Sequence, residues 1–454
     1  MRPLFYGALL SLVSLLFAAC SGNPIPPPNT PTAEMQVVEF ATVEATATTA
    51  NPPTPTVTPT TSPTAESVAA DKNDTSLSGP AEFKLSRSPD ENPLTGLKVD
   101  DQALIHRRPL LVRVGNDFEA RPQVGLNEAD IVYEELVEWW ITRFTAIYLS
   151  QDLETIAPIR SMRLINLQLA PQYQGALAHS GGSDPVRFLL SQTGITNLDE
   201  FYNPDIYFYR DNENWATRLA FDAKKAREYM LDEGLESDVG LRGFVFAKNL
   251  DTDTLPTEAV AEAQEVTIPY PPSTSEAKWV YDKKSGRYLR FTTGDPMEDF
   301  EGNQISAANV VIYFAEHEDT DIVEDSNGAT SVNIFVNGFG TAWIIRDGQI
   351  LKGNWQTDGS QTPNFIFNNG SPIPLKPGNT WVEVVPPYFD IEIDGQYHAR
   401  LGEVKDVDAG EVELDDTPES EEEPTGTLTP TATPIGFRAT VTPTPKPSVT
   451  PASQ

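Results

Sequence analysis

ALAHSGGSDPVRFLLSQTG, residues 176–194, reads as a strand, a glycine-bearing turn and a helix in immediate succession. Ser183 or Asp184 suits a helix N-cap, Pro185 suits the first turn, and Gly194 predicts the stop. Strand-to-helix units of this kind build layered α/β domains. Upstream, RPLLVRVGN (108–116) and RFTAIYLS (143–150) are rich in β-formers, and ADIVYEEL (129–136) places Ile131, Tyr133 and Glu135 on one face. TIAPIRSMRLINLQLA (155–170) predicts a helix capped by Ser161 and ended by Pro171. FDAKKAREYMLDEGL (221–235) predicts a third helix, between Asp222 and Gly234.

Beyond residue 265 the signals are almost all strand. KWVYDKKSGRYLRFT (278–292) turns at Ser285-Gly286, TAWIIRDGQILKGNW (341–355) at Asp347-Gly348, and NFIFNNGSPIPL (364–375) at Asn369-Gly370. Asp-Gly and Asn-Gly between apolar residues are strong hairpin signals. The expected fold is therefore α+β in two domains. A mixed α/β N-terminal domain spans 83–248, and a polar, Pro-containing linker covers 249–264. An antiparallel β-rich C-terminal domain, a sandwich or an open barrel, spans 265–404.

The ends belong to a different class of sequence. MRPLFYGALLSLVSLLFAAC opens the chain with Arg2, an apolar run and small residues before Cys20. It is shorter than the ~20 apolar residues of a membrane span, so 1–19 reads as a signal peptide. Cys20 is the single cysteine and has no partner for an internal disulfide. FAAC is similar to a lipoprotein lipobox, which makes Cys20 the lipid attachment site. Two or more acyl chains anchor a protein stably where one does not. Residues 20–82 and the end of the 405–454 tail are Thr/Pro-rich and read as disordered stalk and tail, with an acidic block at the tail's start.

The chain carries 32 Lys+Arg against 66 Asp+Glu, a formal charge of −34. That balance excludes nucleic acid as a partner, since phosphate backbones are held by clustered Lys and Arg. Four scattered histidines and one cysteine offer no zinc pattern, and no Walker or Rossmann glycine motif is present, so no metal and no cofactor is expected. The expected location is the extracytoplasmic face of the cell membrane, reached through lipid on Cys20.

ENPLTGL (91–97), ARPQVGLNEADIVYEE (120–135), ITRFTAIY (141–148), IAPIRSMR (156–163) and AHSGGS (178–183) resemble, in order and spacing, the DUF3048 family of YerB-like bacterial lipoproteins. KWVYDKKSGRYLR (278–290), ISAANVVIY (305–313), GTAWIIRDGQILKGNW (340–355) and PGNTWVEVVP (377–386) resemble that family's second domain. The resemblance implies a two-domain surface lipoprotein and brings no reaction with it. Two departures stand out. The family's Glu-Gly-Gly is here Glu138-Trp139-Trp140, and Ala216-Thr217-Arg218 stands near the place of its Pro-His-Asn block.

The candidate site gathers Arg160 and Arg163 at the expected helix start, with Arg121, Arg143, His179, Ser183 and Asp184. A helix N-terminus and guanidiniums together suit a carboxylate or phosphate. The expected function is binding of an anionic cell-envelope component, glycan or peptide, or of a partner protein. Alternatives are an envelope hydrolase using His179 with Glu134 or Asp184, and a non-catalytic scaffold. A structural Arg–Glu network with Glu134, Glu135 and Glu138 would use the same arginines. Trp139-Trp140 suits either stacking on a sugar or packing in a core or interface.

Overall fold

Residues 87–211, 213–251 and 255–398, with the backbone of 404–405, are described by a computed structural model. The expected signal peptide, Cys20, the stalk and the remainder of the tail lie outside these residues. Among the described residues no helix is long and apolar enough to cross a membrane.

The first half forms β1 (Leu110–Gly115), β2 (Ile131–Leu136), β3 (Thr142–Tyr148), α1 (Asn166–Tyr173), β4 (Ala176–His179), α2 (Asp184–Ser191), β5 (Thr196–Asp199) and α3 (Ala223–Asp232). The apolar runs expected to be strands are strands, and β1, β2 and β4 are buried along their whole length. β1 is antiparallel to β3 and parallel to β4, which gives a mixed sheet.

α1 differs from its expected form. Ser161 does not cap it, because its Oγ donates to Ser180 O at 3.0 Å. Ile156, Ala157 and Ile159 instead bridge Phe221, Val124 and Val114, so 155–160 crosses the strand ends as an extended strap. The helix starts only at Asn166, whose Oδ1 accepts from the Arg163 amide at 2.8 Å. Pro171 sits inside it and removes one bond. Gln174, in the left-handed region, ends it. α2 likewise stops at Ser191, before Gly194. α3 starts as expected, with Asp222 accepting from the Lys225 amide.

The hairpins at Gly286 and Gly348 form as expected, both glycines at positive φ. The halves, however, share one eleven-stranded sheet. Its order is Asn364–Ile366, Gln349–Thr357, Gly338–Arg346, Asn309–Phe314, Thr380–Val385, β2, β3, β1, β4, β5, with Val260–Glu262 beside Gln349–Thr357. The two-domain organisation is therefore strand-rich and mostly antiparallel, with three α-helices among the described residues. The strand Thr380–Val385 lies parallel to both β2 and Asn309–Phe314. A second sheet, built around Glu265–Ile268, Ala277–Asp282, Arg287–Thr292 and Ile391–Ile393, shares one core with the long sheet and with α3. The opposite face is covered by α1, α2 and part of the hairpin His317–Val323/Thr330–Ile334.

The shared sheet predicts that the halves depend on each other. Thr380–Val385 is buried at all six positions, and fully burying a Val side chain contributes ~1.5–3 kcal/mol. A chain cut after residue 248 leaves β2 as a bare apolar edge, which invites aggregation. Residues 83–248 expressed alone are expected to be insoluble or unfolded, and co-expression with 249–404 to restore a folded complex. Circular dichroism and gel filtration check this.

Candidate functional site

β1, β2, β4, β5, Asn309–Phe314 and Thr380–Val385 all run the same way, so their C-terminal ends form one edge of the long sheet. Ligands in α/β sheets bind at such an edge. Gly115, Leu136, His179 and Asp199 end strands there.

Beneath the strap, Arg113 donates through Nη1 to Glu135 and, at 2.6 Å, to Thr145. Glu138 is the hub beside it. Arg163 donates to both its carboxylate oxygens, through Nε at 2.7 Å and through Nη2, and Arg143 Nη2 adds a bond of 2.9 Å. Arg163 Nη1 also donates to Met162 O and lies 3.4 Å from Glu324. Arg160 donates to Ala216 O at 2.7 Å, and its Nε sits 3.4 Å from Asp117. Four guanidiniums thus meet four carboxylates, Asp117, Glu135, Glu138 and Glu324.

Burial opposes ionisation of Glu138, but the bond from Arg163 and the charges of Arg143 and Arg163 win and bring its pKa down to about 2. Burial wins at Glu135 and pushes its pKa up to about 7 against the pull of Arg113. Burial, with Arg163 close by, lowers Arg143 to about 9, and its Nε and Nη1 have no hydrogen-bond partner.

The other residues expected at the site divide. Arg121 donates to Asn116 and to Thr274 O, apart from the Glu138 hub. His179 is buried, with Nδ1 2.8 Å from Gly181 O and Nε2 2.9 Å from Asn197 Oδ1. Burial lowers its pKa, and both ring nitrogens are engaged. Ser183 is the N-cap residue of α2, but its buried Oγ caps nothing and has no partner. Asp184 is exposed in the first turn. Glu134 lies with Arg290. Ala216 meets Arg160, and Arg218 stacks 4.7 Å over the ring of Tyr209.

The turn fixed by the Glu138 hub carries the feature that residue types alone left open. Trp139 and Trp140, between β2 and β3, have φ of 65° and 56°, a left-handed region that favours glycine. Both are exposed, at 59% and 56%. They line a cleft of about 490 Å³. Trp139 Nε1 donates to Asp325 Oδ2 at 2.8 Å. The cleft is also lined by His317, Asp319 and Val332 of the hairpin, and by Tyr388, which is 67% exposed. His317 Nδ1 lies 2.8 Å from Ala315 O and is assigned as the donor, which leaves Nε2 as a buried acceptor with no partner.

Burial brings the His317 pKa down to about 4 from 6.5, so the folded state holds it neutral. Its folded pKa is depressed, so its contribution to stability is present above pH 6.5 and is lost as pH falls through about 4. His317→Gln is expected to flatten that part of the acid limb in a series of thermal melts.

Nothing near His317 or Asp319 in sequence points to the cleft, because a distant hairpin brings them there. The tryptophan pair was the one visible signal. Among the described residues no cluster of His, Cys, Asp and Glu could hold a metal.

The geometry can be set beside known proteins. The N-terminal domain of DUF3048, described as a protein of unknown function, matches residues 94–236, and its C-terminal domain matches 266–382. The Bacillus subtilis (strain 168) protein named "Putative lipoprotein YerB" is 29% identical over 301 residues, covering 65% of this chain and 86% of that protein. The crystal structure of YerB protein from Bacillus subtilis superposes with a TM-score of 0.57 at 26% identity, covering 66% of this chain and 99% of that one. With both domains present in order, this chain belongs to the YerB-like DUF3048 family.

Proposed function

We propose that this chain is a lipoprotein, held on the extracytoplasmic face of the cell membrane through Cys20, that binds an envelope glycan in the Trp139–Trp140 cleft. One observation carries the reading: two exposed tryptophans are kept in a left-handed backbone at the wall of a cleft, where glycine would fit without strain. Non-glycine residues held in such regions cluster at ligand sites. Flat aromatic faces beside hydrogen-bonding groups suit a ring with an apolar face and polar edges. His179 has neither nitrogen free for proton transfer, which favours binding over hydrolysis.

The arginines then serve the cleft indirectly: Arg143 and Arg163 hold Glu138, and Glu138 holds the turn. An anionic ligand finds support at Arg143, whose Nε and Nη1 remain unsatisfied, and at Arg113, whose Nη2 does. Co-sedimentation of the full-length protein with purified cell-wall sacculi tests both readings. Tyr388→Ala is expected to release the protein from the pellet if the cleft binds and to leave it there if the anion reading holds, whereas Arg143→Gln weakens binding under either reading because Arg143 also holds Glu138.

A further inference from the structure

The polar groups of the cleft are unequal in kind. No lysine or arginine is among its lining residues. Glu138 is saturated by Arg143 and Arg163 behind the turn. Asp325 is occupied by Trp139 Nε1 and by the Asn327 and Ala329 amides. Asp319 is exposed and, among the described residues, has no basic side chain within ion-pair distance. It lies close enough to Tyr388 to help raise that phenol's pKa, after burial. His317 Nε2 is an acceptor without a donor.

Asn327, Thr330 and the Tyr388 hydroxyl can donate or accept, so what sets the cleft apart is one carboxylate without a cation, standing with three exposed aromatic side chains. A neutral sugar satisfies His317 with a hydroxyl and stacks its ring face on the tryptophans, but it leaves Asp319 unneutralised. An ammonium pairs with the carboxylate and is attracted to aromatic faces as well. The chain's formal charge of −34 acts in the same direction at longer range.

Resting on the glycan reading, we propose that the cleft selects an amino sugar carrying a free, protonated amine, a de-N-acetylated hexosamine unit, over its N-acetylated form. Asp319 would take the ammonium, His317 Nε2 a hydroxyl, and Trp139, Trp140 and Tyr388 the ring faces.

The test is calorimetric titration of the full-length protein with two matched probes, glucosamine tetramers with free and with acetylated amines, in mildly acidic buffer. The free-amine probe is expected to bind about tenfold tighter. Asp319→Asn should bring the two affinities together, and Trp139→Gly/Trp140→Gly should remove the preference although its charge is that of wild type. Equal affinities in wild type would overturn the amine inference and leave the glycan reading standing. A preference surviving either variant would also overturn it, by assigning the effect to the acidic surface at large. Binding of neither probe, with no sedimentation on sacculi, removes the glycan reading and this inference with it.

Discussion

Arg290→Met is expected to lower stability at neutral pH by about 3–5 kcal/mol, a melting-point fall on the order of 10 °C. Arg290 and Glu134 are fully buried and bonded at 2.9 and 3.2 Å. They join the second sheet to β2, so the pair also ties the two halves together. Glu383 lies beside them, accepting from Trp279 Nε1 at 2.7 Å. Burial and the neighbouring Glu134 drive its pKa well above the usual carboxylate range. Methionine keeps most of the bulk but leaves Glu134 buried without a cation, with neutral partners such as Thr142, Asn116 and Trp381 to hold it. Removing the stranded carboxylate as well, in Glu134→Gln/Arg290→Met, should recover part of the deficit. Melts of wild type and of the single and double variants check it; a double variant no more stable than Arg290→Met would mean lost packing, not stranded charge.

Trp139→Gly/Trp140→Gly is expected to stay folded and to melt above Trp139→Ala/Trp140→Ala while abolishing ligand binding. An L-residue in the left-handed region carries roughly 1–2 kcal/mol of strain, which glycine releases. Glycine's extra freedom in the unfolded chain returns about 0.5–1 kcal/mol of that. The indoles are still about two-fifths buried and Trp139 holds Asp325, so their loss offsets part of that gain in either variant. Trp139→Ala/Trp140→Ala keeps the strain and is the control: the glycine pair should be the more stable by ~2 kcal/mol in total. Were the alanine pair equally stable, the turn would not be strained. A site that trades stability for two exposed rings is one in which the rings act on something outside the fold.

That trade also explains the Glu-Gly-Gly pattern of the family resemblance, since two consecutive positive φ values suit Gly-Gly. The sequence alone exposed the substitution, but the backbone conformation that gives it meaning is set by the reversal between β2 and β3. Much else was legible: strands with continuous or alternating apolar runs, Asp-Gly hairpins, and α3 with its Asp222 cap. These depend on local chemistry.

Local chemistry failed where distant pairing won. Ser161 has the right side chain for a cap, yet the strap before it is extended because Ile156, Ala157 and Ile159 bridge Phe221, Val124 and Val114. Nothing in TWVEVV (380–385) announces that it will lie beside β2, some 250 residues earlier by subtraction of the paired positions. Glu138 was visible as a possible arginine partner, but its role as hub for Arg143 and Arg163 depends on how the turn and strap meet. His317 and Asp319, on a separate hairpin, carried no signal at all.

The most direct measurement is a fluorescence titration of the full-length protein with solubilised cell-wall glycan, run on wild type and on Trp139→Gly/Trp140→Gly. Wild type should show a saturable change in tryptophan emission, and the variant, folded by its melting point, should show neither the change nor binding by co-sedimentation. A variant that still binds with wild-type affinity would contradict the account, and the cleft would not be the site.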